Sequence, residues 1–139
     1  MKRSEKGRFA PPPTLEAAHA QALSETLAAW PDVHARTHWL LGDESTVDGA
    51  DFYVGEDELG HLHLDGEAHI AVGLELRDAL VRAKLARPFA YSRAFVTWPV
   101  DSAAAREHAQ WLFLLRYELL RGGQLGHALE AVSSRRRAA

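Results

Sequence analysis

Apolar and polar residues recur along this chain with two different periods, and the changes of period divide it into elements. Leu15, Ala18, Ala22, Leu23, Leu27 and Trp30 follow Pro11-Pro12-Pro13 at helical spacing, which predicts a first helix with Thr14 as N-cap and Pro31 as its stop. From Val33 to Leu41 the period falls to two. Val33, Thr37 and Trp39 are set against His34, Arg36 and His38, the pattern of a half-buried strand. Asp43 to Asp51 then reads as an acidic loop. Three more strands are predicted at Asp51 to Val54, Glu58 to Leu64 and Glu67 to Val72, divided by Gly55-Glu56-Asp57 and by Asp65-Gly66 into a meander. Leu76, Ala79, Leu80 and Ala83 restore the helical period over Glu75 to Ala86, and Arg87-Pro88 ends it. Phe89 to Ser92 and Ala94 to Trp98 are short strands, the second closed by Pro99. A long helix runs from Ser102 to Arg121, with Asp101 as its N-cap and Gly122-Gly123 beyond its end, and its leucines and Phe113 predict the most buried helix. Leu125 to Val132 adds a turn or two.

The predicted order is α-β-β-β-β-α-β-(β)-α. Strands joined by tight turns, with helices between groups of strands, indicate an α+β fold: an antiparallel sheet of four to six strands with helices packed on one face. With 139 residues, 47% of them hydrophobic and 25% charged, the chain has the composition of one globular domain, placed at residues 13–132. Residues 1–12 and 133–139 are expected to be disordered basic tails. The absence of cysteine removes disulfides, thiolate metal sites and cysteine nucleophiles. No apolar run reaches the roughly 18 residues of a membrane span, and Met1 to Arg8 is charged without an apolar stretch after it, so a cytoplasmic protein without a membrane is expected.

Charge is unevenly placed. The net charge of -3 resolves into +3 on the first nine residues, +3 on Arg135, Arg136 and Arg137, and -9 between them. No Lys or Arg occurs between Arg36 and Arg77, where Asp43, Glu44, Asp48, Asp51, Glu56, Asp57, Glu58, Asp65 and Glu67 fall. Such a surface disfavours phosphate and nucleic acid and attracts cations or basic partners.

The segment from Gly60 to Val72 carries the candidate chemistry. A three-residue Asp65-Gly66-Glu67 loop pairs Leu64 with Ala68, Leu62 with Ile70 and His63 with His69, keeping the apolar residues on one face. His61, His63 and His69 then share the other face, close enough for three imidazoles to converge on one ion. Imidazole beside carboxylates suits zinc or another transition metal, with Asp65, Glu67 or a water completing the shell. The plainer alternative is a set of tolerated polar residues on an exposed strand face. Trp30, Trp39, Trp98 and Trp111 each fall on a predicted apolar face and read as core packing rather than a base-stacking platform. Triads drawn from Asp101, His108 and Ser92, or from Ser45 and His38, have no geometric support in the sequence, and no nucleophile elbow, Walker loop or dinucleotide fingerprint is present.

Glu58-Leu59-Gly60-His61-Leu62-His63, Asp65-Gly66, His69, Leu76-Arg77-Asp78-Ala79-Leu80, Arg87-Pro88, Phe95-Val96-Thr97-Trp98 and Leu115-Arg116-Tyr117-Glu118-Leu119 together resemble the small bacterial proteins of the luciferase-domain family, over about half of the chain. His61-Leu62-His63 with Asp65-Gly66 corresponds to that family's His-x-His-x-Asp-Gly pattern. The chain departs from the family at Pro99-Val100-Asp101, where Pro-Arg-Asp is common, and at Arg116, where Ser often precedes the tyrosine. The resemblance implies an α+β fold with no established catalysis. A weaker, architectural likeness is to the small MmcQ/YjbR-type domains.

The leading expectation is a small ligand- or partner-binding domain that uses the exposed face of the histidine hairpin, through a transition metal. A metal-dependent hydrolase using the same histidines is the second, and a nucleic-acid-associated module using the basic ends the third. An exposed strand could also pair with its copy in a homodimer.

Overall fold

A computed structural model describes residues 11–40 and 42–138; the basic leader up to residue 10 lies outside the described residues. The elements are α1 (Ala18–Ala28), β1 (Val33–Leu40), β2 (Asp43–Val54), β3 (Asp57–His63), β4 (Glu67–Ile70), α2 (Leu74–Arg82), β5 (Arg87–Phe89), β6 (Ser92–Pro99), α3 (Ala103–Leu120) and α4 (Leu125–Ala138). All strands join one antiparallel sheet in the order β1-β2-β3-β4-β6-β5, so the fold is α+β as the periodicity predicts.

Phe52, Leu62, Ile70 and Val96 stand on the helix-covered face and pack with Leu23 and Leu27 of α1, Leu76 and Leu80 of α2, and Leu112 and Phe113 of α3, all fully buried. The alternate residues Asp51, His61, His69 and Thr97 line the opposite face, as a two-residue period requires. Apolar burial of this kind contributes about 1.5–3 kcal/mol per large side chain, so the sheet's helix side holds the fold together.

Several boundaries differ from expectation. The acidic loop at Asp43 to Asp51 is the first part of β2, a strand of twelve residues. Bulges where His38, Trp39 and Leu40 meet Gly49, Val47 and Asp43 absorb its irregular alternation, which disguised it as a loop. Ala17, not Thr14, precedes α1, because the Leu15 N–H is taken by the Gln21 side chain and the chain turns into the helix later. Ser102 rather than Asp101 caps α3, its Oγ accepting from the Ala105 N–H at 3.0 Å. The tail expected to be disordered from residue 133 is helical to Ala138. Val132 is buried there, the Arg135 guanidinium lies 4.5 Å from the centre of the Trp111 ring, and Arg137 pairs with Glu130.

The turns set the register. Gly55, with φ +62°, takes the first of two positions between β2 and β3, the place where a two-residue hairpin wants glycine. Between β3 and β4, Gly60 opposes Ile70, His61 opposes His69 and Leu62 opposes Ala68. The expected pairs, Leu64–Ala68, Leu62–Ile70 and His63–His69, are therefore displaced by two residues. A three-residue loop is present, but it consists of Leu64-Asp65-Gly66: such loops put their left-handed residue last, and Gly66 has φ +97°. A shift of two leaves every side chain on its expected face.

Candidate metal centre

One row of side chains crosses the whole open face of the sheet. Arg36 of β1 opposes Asp51 of β2, Asp51 opposes His61 of β3, His61 opposes His69 of β4, His69 opposes Thr97 of β6, and Thr97 opposes Arg87 of β5. In the adjacent row His38 and His63 flank Gly49, whose missing side chain lets their rings meet edge to face at 5.3 Å across the strand between them. A Cβ on Gly49 would collide with the Leu62 carbonyl. His38 also stacks on His61, ring centres 4.0 Å apart and 10° from parallel.

Glu58 reaches this face through a bulge. Phe52 pairs with Gly60 and Tyr53 with Glu58, so Leu59 is an extra residue in β3 and drops into the core. Gly60 has φ +153°, and a Cβ there would sit 2.7 Å from Phe113 Cε1 and against the His69 carbonyl oxygen. Only glycine permits the kink that turns Glu58 towards His61.

His61, His63 and His69 converge, as the alternation of apolar and polar residues expects. His61 Nε2 lies 3.2 Å from His69 Nδ1, and His63 Nε2 lies 3.3 Å from the same atom. The outer nitrogen of each ring faces a carboxylate: His61 Nδ1 is 3.0 Å from Glu58 Oε2, His63 Nδ1 is 2.9 Å from Asp48 Oδ2, and His69 Nε2 is 3.2 Å from Glu67 Oε1. A carboxylate only accepts, so each outer nitrogen carries the hydrogen, and in a neutral ring the inner nitrogen is left with a lone pair turned towards its neighbour. Facing lone pairs repel; a positive charge between them reverses the sign. Zinc–nitrogen bonds of about 2.0–2.1 Å in a tetrahedron place neighbouring nitrogens about 3.3–3.4 Å apart, close to the distance of His69 Nδ1 from each of the other two inner nitrogens. Carboxylates behind the ligating imidazoles also fix the tautomer and ring angle that a metal site needs.

The electrostatics favour neutral rings at His61 and His69. Burial pushes His61 down to about 4 against the opposing pull of Glu58. Burial, then the neighbouring His63, lowers His69. Burial acts to raise Glu58, but hydrogen bonds from His61 and from the Asp51 carboxyl hold it down to about 2. Asp51, buried beside Glu58, is raised to about 7. Burial acts to lower His38, yet its hydrogen bond to Asp51, 3.3 Å from Nδ1 to Oδ2, and the surrounding carboxylates leave it raised.

Two groups of side chains among the described residues bring ligand atoms within 4.8 Å of one another: His38 with His61 and His63, and Asp51 with Glu58 and His61; the expected set of His61, His63 and His69 is not one of them, its close contacts all running through His69 Nδ1. His38, Asp48, Asp51 and Glu58 were missed by the sequence reading as site residues. The Glu58-Leu59-Gly60 bulge could have been suspected from its glycine; Asp48 was hidden in the supposed loop, and Asp51 stood where that loop met a predicted strand. The expected completing ligands do something else. Asp65 is exposed in the hairpin turn and accepts from the Glu67 N–H at 3.0 Å, and Glu67 backs the outer nitrogen of His69.

The sketched triads are not assembled. Ser45 bonds Asp43, and His108 sits between the Leu85 carbonyl and Arg135. Trp30, Trp98 and Trp111 pack against the core as expected, but Trp39 is turned by the β1 bulge to line a pocket of about 280 Å³ with His38, Asp48, His61, His63 and His69. Leu40, Phe89, Ser92 and Phe95 complete it. Phe89 touches the His69 ring at 4.6 Å between centres and Phe95 the His61 ring at 5.8 Å. No helix among the described residues is long and apolar enough to cross a membrane.

Fold and site together define an α+β domain with a histidine cluster, able to hold a metal ion, on the uncovered face of an antiparallel sheet. The model of the family described as Luciferase domain matches residues 56–116, the family the sequence resembles. That stretch runs from the β2–β3 turn into α3 and includes Glu58, His61, His63 and His69; His38, Asp48 and Asp51 precede it. No curated protein and no solved structure matches the chain.

Proposed function

We propose that this protein is a ligand-binding domain that holds a transition metal ion, zinc by the chemistry of its donors, through His61 Nε2, His63 Nε2 and His69 Nδ1. The observation that carries this reading is the approach of the His61 and His63 inner nitrogens to His69 Nδ1 with a carboxylate behind each ring. Three nitrogen donors would leave one position of a tetrahedron open, beside the pocket that these histidines line together with Phe89 and Phe95. Glu58, Asp48 and Glu67 are positioning residues: they hold the rings, and His38 covers His61. The test is titration of metal-free full chain with zinc against a chromophoric chelator. About one zinc ion per chain is expected, lost in the double variant His61→Ala, His63→Ala while the fold persists; zinc uptake unchanged by that variant contradicts the reading.

A hydrolytic reading of the same site is favoured by one further observation. His38, its Nδ1 3.3 Å from Asp51 and its Nε2 3.7 Å from Asp48, stands with its ring beside His61 and His63, where a ring N–H could donate a proton to a leaving group. Zinc-loaded protein would then hydrolyse an activated aryl ester, and His38→Gln would remove that activity without removing the metal; no turnover above the free-ion rate argues against an enzyme.

A further inference from the structure

Beside the histidines the pocket changes character. Trp39, Leu40, Phe89 and Phe95 make its far side apolar, and three of the four are aromatic. Its volume of about 280 Å³ suits a molecule of one or two rings, well below the range of large cofactors. No lysine or arginine is among its described lining residues, whereas Asp48 is, and Asp51 and Glu58 lie behind His38 and His61. An anionic ligand would meet no partner charge there and several repulsive ones. Ser92 adds a single neutral polar group at the edge: its Oγ accepts from the Ala94 N–H at 3.3 Å, which leaves the hydroxyl hydrogen to donate outward.

We propose that the pocket binds a small, flat, uncharged nitrogen heterocycle, one ring nitrogen on the open metal position and the ring body against Phe89, Phe95 and Trp39. This rests on the metal reading above. One open position takes a single donor atom rather than a chelating pair, so binding strength beyond the metal–nitrogen bond comes from ring contact. The Phe89 and Phe95 rings stand 6.2 Å apart at 57° in the pocket lining, a tilted pair against which a flat ring can pack. The Ser92 hydroxyl is placed to donate to a second acceptor on the ligand's rim.

The experiment uses the full chain loaded with cobalt(II), whose visible spectrum reports a new donor at the ion, and compares imidazole, benzimidazole and benzoate as probes. Benzimidazole is the weaker base, so an advantage over imidazole measures contact with the pocket. The expected result is a spectral change with benzimidazole at concentrations about tenfold below those imidazole needs, as burial of the extra ring predicts, and weak or no change with benzoate. Phe95→Ala and the milder Phe95→Leu are each expected to reduce the benzimidazole advantage while leaving cobalt uptake as it was. Equal affinity for the two azoles, or benzoate binding as tightly as benzimidazole, overturns this proposal and leaves the metal reading intact. Failure of cobalt to bind at all overturns the metal reading and this proposal with it.

Discussion

His61 Nε2 and His69 Nδ1 lie 3.2 Å apart on neighbouring strands although the other nitrogen of each ring already faces a carboxylate, Glu58 and Glu67 respectively. Two acceptors pointed at each other in a buried place cost stability unless a positive charge joins them. On the proposed reading the contact is a place where the protein gains from a cation, and the energetic consequence is measurable. At zinc concentrations about a hundredfold above the dissociation constant, linkage gives about 2.7 kcal/mol, which for a chain of this size raises the melting temperature by about 8 °C. Calorimetry with and without zinc should show that rise in the wild type and none in His61→Ala.

The carboxylate behind a ring should matter nearly as much as the ring. Glu58→Gln replaces a charged acceptor by an amide at the outer nitrogen of His61. Zinc affinity is expected to fall about 10–100-fold, with the fold and the one-to-one stoichiometry kept. Competition with a chelator measures it; affinity equal to wild type would mean that Glu58 does not orient the ring.

Gly60 is the backbone condition for that contact. Its φ of +153° and the nearness of Phe113 Cε1, 2.7 Å from where a Cβ would stand, leave no room for alanine. Gly60→Ala is expected to destabilise the protein by about 2–4 kcal/mol, read from urea unfolding. Gly55→Ala is the control: its turn is open to solvent, nothing lies within 4 Å, and only the strain of a φ of +62° is incurred, about 1 kcal/mol.

A pH effect is expected at the far side of the molecule. His108 is lowered below its ordinary 6.5 by burial and by Arg135, against the pull of the Leu85 carbonyl. Its folded pKa lies below the unfolded one, so its contribution to stability is complete above pH 6.5 and is lost as the pH falls through the lowered folded value. Protonation would put a hydrogen on Nδ1, which now accepts from Arg135 at 3.2 Å. The end of α4 should loosen with it. Melting curves between pH 7.5 and 5 should show this loss in the wild type, and a smaller one in His108→Gln.

The face on which each histidine stands was legible because alternation is a property of the sequence alone, and a register displaced by two residues cannot change it. The displacement itself depended on which loop position needs a positive φ, and Gly66 had been set one place too early. Asp48 was unreadable for a different reason: bulges in β1 and β2 break the period that would have marked its part of the strand. Glu58 was hidden behind the extra residue Leu59. His38 comes from a strand two places away in the sheet, and its approach to His63 depends on the absent side chain of Gly49, a long-range pairing that local pattern does not encode. The arginines of α4 read as a solvated tail because their partners, Trp111 and Glu130, act only once α4 has packed.

X-ray absorption spectroscopy of the zinc-loaded full chain tests the central claim most directly. The account predicts three imidazole nitrogens at about 2.0–2.1 Å with one further light donor, and loss of one imidazole in His69→Ala. A zinc shell made of carboxylate oxygens, or one unchanged by that substitution, would contradict it.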